Sequence, residues 1–134
     1  MDRQFIDACE FGDFDEAKRL YKLGVNIHAL DDVAFLWTCY RGDSKMTKWL
    51  VSLGDVDIYI KQNYALRISY NINNLEVAKW LYSKYDKSKN YDFEEYHKIK
   101  QLIEEEKDNY NGIMNNSMFE MNLFTMELSN YLFY

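Results

Sequence analysis

The feature that most limits what this chain can fold into is that it says nearly the same thing several times. Glu16 to Ile27 reads "EAKRLYKLGVNI", Met46 to Ile58 reads "MTKWLVSLGDVDI", and Val77 to Tyr85 reads "VAKWLYSKY". Gly12-Asp13 corresponds to Gly42-Asp43 at a step of 30, and these to Asn73-Asn74 at a further step of 31. Leu20, Leu50 and Leu81 keep the same offsets, as do Ala17, Thr47 and Ala78, and Ala8-Cys9, Thr38-Cys39 and Ser69-Tyr70. Small or apolar types recur in each of these columns, so the columns are packing positions. A unit of this size cannot bury its apolar face alone and must stack on the next copy.

Within one unit, "VAFLWTCYRGD" and "SKMTKWLVSLG" read as two short helices joined by a turn at Arg41-Gly42-Asp43. Phe35, Thr38 and Cys39 share one face of the first at helical spacing, and Met46, Thr47, Leu50 and Val51 share one face of the second. Asp13, Asp43 and Asn74 stand where an N-cap belongs, and Gly24 and Gly54 where a left-handed residue ends a helix. The connecting segments "VNIHALDD" and "DVDIYIKQN" are short and turn-like. The expectation is an all-α solenoid of about three helix-turn-helix repeats, with boundaries near 1–31, 32–62 and 63–92.

The period near 30, the two short helices and the "LG" before a short turn resemble ankyrin repeats, most closely in "NNLEVAKWLYS". The Thr-Pro-Leu-His opening usual in that family is absent; Val33-Ala34-Phe35-Leu36 and Tyr64-Ala65-Leu66-Arg67 stand in its place. The hairpin between units is also shorter than in the usual repeat of about 33 residues. These departures, with segments such as "GVNIHA" and "NYALRISYN", look like the ankyrin repeats abundant in giant DNA viruses of amoebae. A chain without Pro and rich in Asn, Lys, Tyr and Ile agrees with an AT-rich genome. The resemblance covers residues 3–85. It implies a non-catalytic protein-interaction module that binds through hairpin tips and the exposed side of the first helices.

Carried onto this sequence, the exposed first-helix columns are Asp7, Trp37 and Ile68; Glu10, Tyr40 and Asn71; and Phe11, Arg41 and Ile72. The tips are Leu30, Asp31 and Asp32, with Lys61, Gln62 and Asn63. Trp37, Tyr40 and Arg41 stand out, because Trp, Tyr and Arg are the types enriched at binding hot spots. Trp37 packed against a neighbouring repeat is the structural alternative.

After Tyr85 the pattern stops. "DKSKNYD" reads as a polar linker, and "FEEYHKIKQLIEEEKD" as a helix with Tyr96, Ile99, Leu102 and Ile103 on one face. A cap with a wet outer side suits the end of a stack; a fourth, degenerate unit is the alternative. The segment "NSMFEMNLFTMELSNYLFY" opens with a Ser117-x-x-Glu120 capping box, and Met121, Phe124 and Leu128 follow helical spacing. It reads as the last piece of the core or as an adaptable Met-rich binding surface, with disorder or a peripheral membrane contact as further alternatives, the latter opposed by the lack of basic residues. Residues 93–134 are thus expected to form a capping helix and an apolar helical tail.

Composition narrows the function classes. A net charge of −6 opposes binding to a phosphate backbone. Nothing in the chain approaches the roughly 18 apolar residues of a membrane span, and the start "MDRQFIDACEF" has no secretory apolar core. The expected location is therefore cytoplasmic, that of the host cell if the chain is viral. Cys9 and Cys39 share a column in adjacent repeats, about 8–10 Å apart between stacked helices, beyond the roughly 7 Å limit for a disulfide. They read as free core thiols. His28 and His97 have no ligands at metal spacing, and the Glu104 to Glu106 run is a solvated helix face. No phosphate loop, nucleophile elbow or Cys-His arrangement is present, so neither catalysis nor a cofactor is expected. The expected partner is a protein, with neither nucleic acid nor membrane, and the chain a monomer or weakly self-associating. Other readings are a structural protein that self-associates through its apolar end, and an adaptor for a host ubiquitin ligase.

Overall fold

The computed structural model describes residues 1–112. Two compact units divide the chain, Met1–Ile99 and Lys100–Tyr134. The first contains three helix pairs, α1 (Asp2–Phe11) with α2 (Phe14–Lys22), α3 (Ala29–Arg41) with α4 (Ser44–Ser52), and α5 (Ile60–Asn71) with α6 (Leu75–Lys84), followed by the start of a further helix. The first helices α1, α3 and α5 pack side by side in one layer. The second helices form the other layer, where Trp49 of α4 meets Phe14 and Tyr21 of α2 and α4 touches α6. Among the described residues there is no strand. This is the helical-repeat solenoid that the sequence periodicity demands.

The repeating columns are the core. Cys9, Cys39, Ala17, Thr47, Ala78, Leu20, Leu50 and Leu81 are all buried, together with Phe5, Phe35 and Leu66. Both thiols are free. Burial pushes each of them up to about 12, with the Asp43 charge adding to the effect at Cys9. In the middle unit the core admits a polar pair. The Thr38 hydroxyl donates to the Phe35 carbonyl (2.7 Å), and the Thr47 hydroxyl lies 3.0 Å from that of Thr38 and 2.8 Å from the Asp43 carbonyl. The first unit has Ala8 and Ala17 in those columns.

The turn inside each unit is built alike. The amides of Asp13, Asp43 and Asn74 bond back to the carbonyls of Ala8, Thr38 and Ser69, closing the preceding helix. Gly12 and Gly42 precede them at φ 77, and in the third unit Asn73 takes the same left-handed place at φ 66. Glycine matters at Gly12 and Gly42 for a second reason: a Cβ would come within 2.4 Å of the Arg41 guanidinium at Gly12 and 2.6 Å of the Asn74 amide at Gly42. Asp13 and Asp43 cap their helices, accepting from the amides of Glu16 and Met46 at 3.1 Å each. Asn74 departs from the expected cap. Its side chain makes no cap bond to α6 but reaches back to the previous unit, donating to the carbonyls of Cys39 (3.1 Å) and Tyr40 (2.8 Å).

The hairpins between units hold the least expected backbone. Leu30, Asp31 and Asp32 all lie in the left-handed helical region (φ 54, 55 and 57), and so do Lys61, Gln62 and Asn63 (φ 53, 57 and 65). Such residues are disfavoured by roughly 1–2 kcal/mol each when they carry a Cβ. Side-chain bonds hold the turns. Asn26 and Asp57 accept from the amides of His28 (3.0 Å) and Tyr59 (2.9 Å), and the amides of Asp32 and Asn63 close onto the carbonyls of His28 and Tyr59.

Downstream of α6, the segment expected to be a polar linker is a packed closure. Tyr85 stands where the earlier units have glycine and is buried, its ring 4.7 Å from Tyr59 and 4.9 Å from Tyr91. Tyr91 in turn lies 4.8 Å from Tyr96. Between Tyr85 and Tyr91 the chain makes a local turn, with Asp86 accepting from the amide and hydroxyl of Ser88. Residues 94–112 are helical, with Tyr96 and Ile99 buried in the first unit. In the second unit, Leu102 and Ile103 are half-buried and Glu104, Glu105 and Glu106 are exposed. The capping box at Ser117 and the apolar helix expected after it lie outside the described residues.

Candidate functional site

Periodicity sets which residues of α3 face outward. Phe35, Thr38 and Cys39 point into the core, which leaves Val33, Trp37 and Tyr40 toward the next first helix. There α3 and α5 bound an open groove of about 540 Å3 lined by Val33, Leu36, Trp37, Tyr40, Lys61 and Tyr64. Trp37 is half-buried and meets Tyr40 edge to face at 5.7 Å between ring centroids. Tyr40 and Tyr64 are 51% and 41% exposed, large values for rings that border a cavity. Both walls are fixed. The Asn74 amide holds the carbonyls of Cys39 and Tyr40 at the end of α3, and the Tyr85 hydroxyl donates to Asn63 Oδ1 (2.7 Å), securing the turn that leads into α5.

The other candidate residues fall into distinct environments. Asp7 pairs with Arg3 (3.3 Å), and Glu10 is half-buried on the same helix. Arg41, although exposed, lays its guanidinium over Gly12 in the neighbouring unit and does not line the groove. Phe11 is 69% exposed and Ile72 38%, while Ile68 is half-buried. Asn71 donates to Glu95 Oε1 (3.2 Å), a carboxylate that also lies 3.6 Å from Arg67. Of the tips, Leu30, Asp31, Lys61 and Gln62 are exposed.

Asp32 is not an exposed tip residue. It is buried, and its Oδ1 lies 2.6 Å from His28 Nδ1. A carboxylate only accepts, so the imidazole is the donor. Asn63 is half-buried with its amide oxygen taken by Tyr85. In each hairpin the third left-handed residue therefore spends its side chain on holding the turn. Three groove residues, Val33, Leu36 and Tyr64, are absent from the sequence-derived surface. Tyr64 shares its column with Val33, one turn before the Trp37 column, and no surface column drawn from the repeat included it.

The groove is lined by no carboxylate, histidine, serine or cysteine, and among the described residues no group of three His, Cys, Asp or Glu side chains is placed to hold a metal ion. Among the described residues no helix is long and apolar enough to cross a membrane.

Residues 5–51 match the family model described as ankyrin repeats (many copies). No curated protein matches the chain. No solved structure matches it either. The matched span starts at the first buried residue of α1 and runs through α4, so it covers the first two helix pairs. The family match, together with the stacked pairs α1 to α6, supports an ankyrin-repeat protein, a class whose members are generally non-enzymatic interaction scaffolds.

Proposed function

We propose that this chain is a non-catalytic protein-binding module whose partner docks in the groove between α3 and α5. The observation that carries the reading is an aromatic-walled cavity left open on a rigid layer, with Trp37 and Tyr40 at its centre. Trp and Tyr supply large contact area at small entropic cost and are frequent hot-spot residues. Arg41 is set apart from the anchor by its contact with Gly12. In this reading the protein acts in the cytoplasm. The resemblance of "GVNIHA" and "NYALRISYN" to giant-virus repeats makes a host or viral protein of an infected amoeba the partner to seek.

The test is affinity capture from amoebal lysate with the intact chain and with a Trp37→Ala, Tyr40→Ala double variant, read by mass spectrometry and accompanied by thermal melts. Proteins retained by the first and lost by the second, at an unchanged melting temperature, are the expected result. Identical captures by both would remove the groove from the interface.

A further inference from the structure

Every polar side chain around the groove can donate a hydrogen bond. The Lys61 ammonium and the Trp37 indole N–H can only donate, and the hydroxyls of Tyr40 and Tyr64 can donate. None of the four side chains has a hydrogen-bond or ion-pair partner among the described residues, and no carboxylate lines the cavity. Lys61 is exposed and springs from the left-handed turn whose last residue, Asn63, is tied to Tyr85. Its stem therefore starts from a fixed backbone at the edge of the aromatic walls.

The junction one repeat earlier has the opposite character. Counting back by one unit, Trp37 and Tyr40 become Asp7 and Glu10, Lys61 becomes Leu30 and Val33 becomes Arg3, whose charge is paired with Asp7 (3.3 Å) and leaves Glu10 as the excess. The acidic character of the chain, −6 overall, is thus reversed locally at the groove.

We infer that the groove takes a peptide segment of a partner protein that places an aromatic or large aliphatic side chain between Trp37, Tyr40 and Tyr64 and a carboxylate beside it on Lys61. This rests on the groove being the docking face. The apolar side chain supplies contact area, and the carboxylate satisfies donors that otherwise face water. A rim charge of this kind sets which partners are accepted more than how tightly they bind. Reversing it is expected to lower affinity for acidic peptides about five- to tenfold, while opening the groove to basic ones.

The experiment pans a displayed library of short random peptides against the full-length chain, Lys61→Glu and Trp37→Ala, with sequencing of the enriched pools and melts to check folding. The expected result is enrichment of peptides pairing an aromatic or large aliphatic residue with Asp or Glu on the intact chain. Lys61→Glu should replace the acid by Lys or Arg, and Trp37→Ala should lose both preferences. Apolar enrichment with no charge preference, unchanged by Lys61→Glu, overturns the inference and leaves the groove as docking face. Enrichment insensitive to Trp37→Ala, or none at all, overturns both.

Discussion

At the junction of the first and second units, Trp49 is half-buried on the second-helix layer among Phe5 (6.3 Å), Phe14 (5.3 Å) and Tyr21 (5.8 Å). The first-helix layer of that junction is charged, with the Arg3–Asp7 pair and Glu10. At the junction of the second and third units, the aromatic side chains border the first-helix layer instead, and Trp37, Tyr40 and Tyr64 frame an open groove. One scaffold thus packs a half-buried tryptophan against three rings at one seam and sets another, in contact with one ring, on the border of a groove at the next. The repeat dictates where a side chain stands; the residues in adjoining columns decide what it meets.

This contrast predicts unequal costs in denaturant melts. Leu50→Ala, at a side chain only 1% exposed, sets the reference at about 2–5 kcal/mol. Trp49→Ala should cost at least about 2 kcal/mol by opening the aromatic cluster, and Trp37→Ala less than about 1 kcal/mol. Equal losses for the two tryptophans would break the distinction between a packing ring and a docking ring. Next in size is the polar pair of the middle unit. Thr38→Ala and Thr47→Ala should each cost about 1 kcal/mol, with the double variant losing less than their sum because either single change already removes the 3.0 Å contact the two hydroxyls share. Strict additivity would show that the hydroxyls do not act together.

The smallest effect concerns the thiols, one on each side of the first seam. With both raised to about 12, the thiolate fraction at pH 8 is roughly one in ten thousand, against about a quarter for a free cysteine near 8.5. The sign follows directly: raising the pKa leaves the thiol protonated and inert at working pH. Ellman's reagent should label neither Cys9 nor Cys39 in the folded chain and both after unfolding. Rapid labelling of one alone would reveal local opening of its repeat.

Much of the fold was legible because helices announce themselves through spacing. The stripes of α3 and α4, the Asp13 and Asp43 caps, and Gly24 and Gly54 at φ 89 and 98 all stand where pattern places them. What escaped depends on contacts between units. Nothing in "ALDD" or "IKQN" announces a left-handed turn, since no glycine marks it, and only a neighbour such as His28 or Tyr85 shows that Asp32 and Asn63 are structural. Asn74 looked like its relatives at Asp13 and Asp43, yet an amide can donate where a carboxylate cannot, so it could turn to the carbonyls behind it. Tyr91, alone among polar residues, gave no periodic signal. For the site, the outward columns put Trp37 and Tyr40 on the surface. That the gap beside them would be hollow depended on Tyr64 and Lys61 from the next unit.

The two left-handed turns divide labour within three consecutive residues. The third, Asp32 or Asn63, is fastened to a neighbouring side chain, while the first two, Leu30-Asp31 and Lys61-Gln62, project into solvent with different chemistry on the same backbone trace. Each hairpin is in effect an interchangeable two-residue cassette on a fixed mount. A lineage that copies such repeats can rewrite what the tips display without disturbing how the units stack.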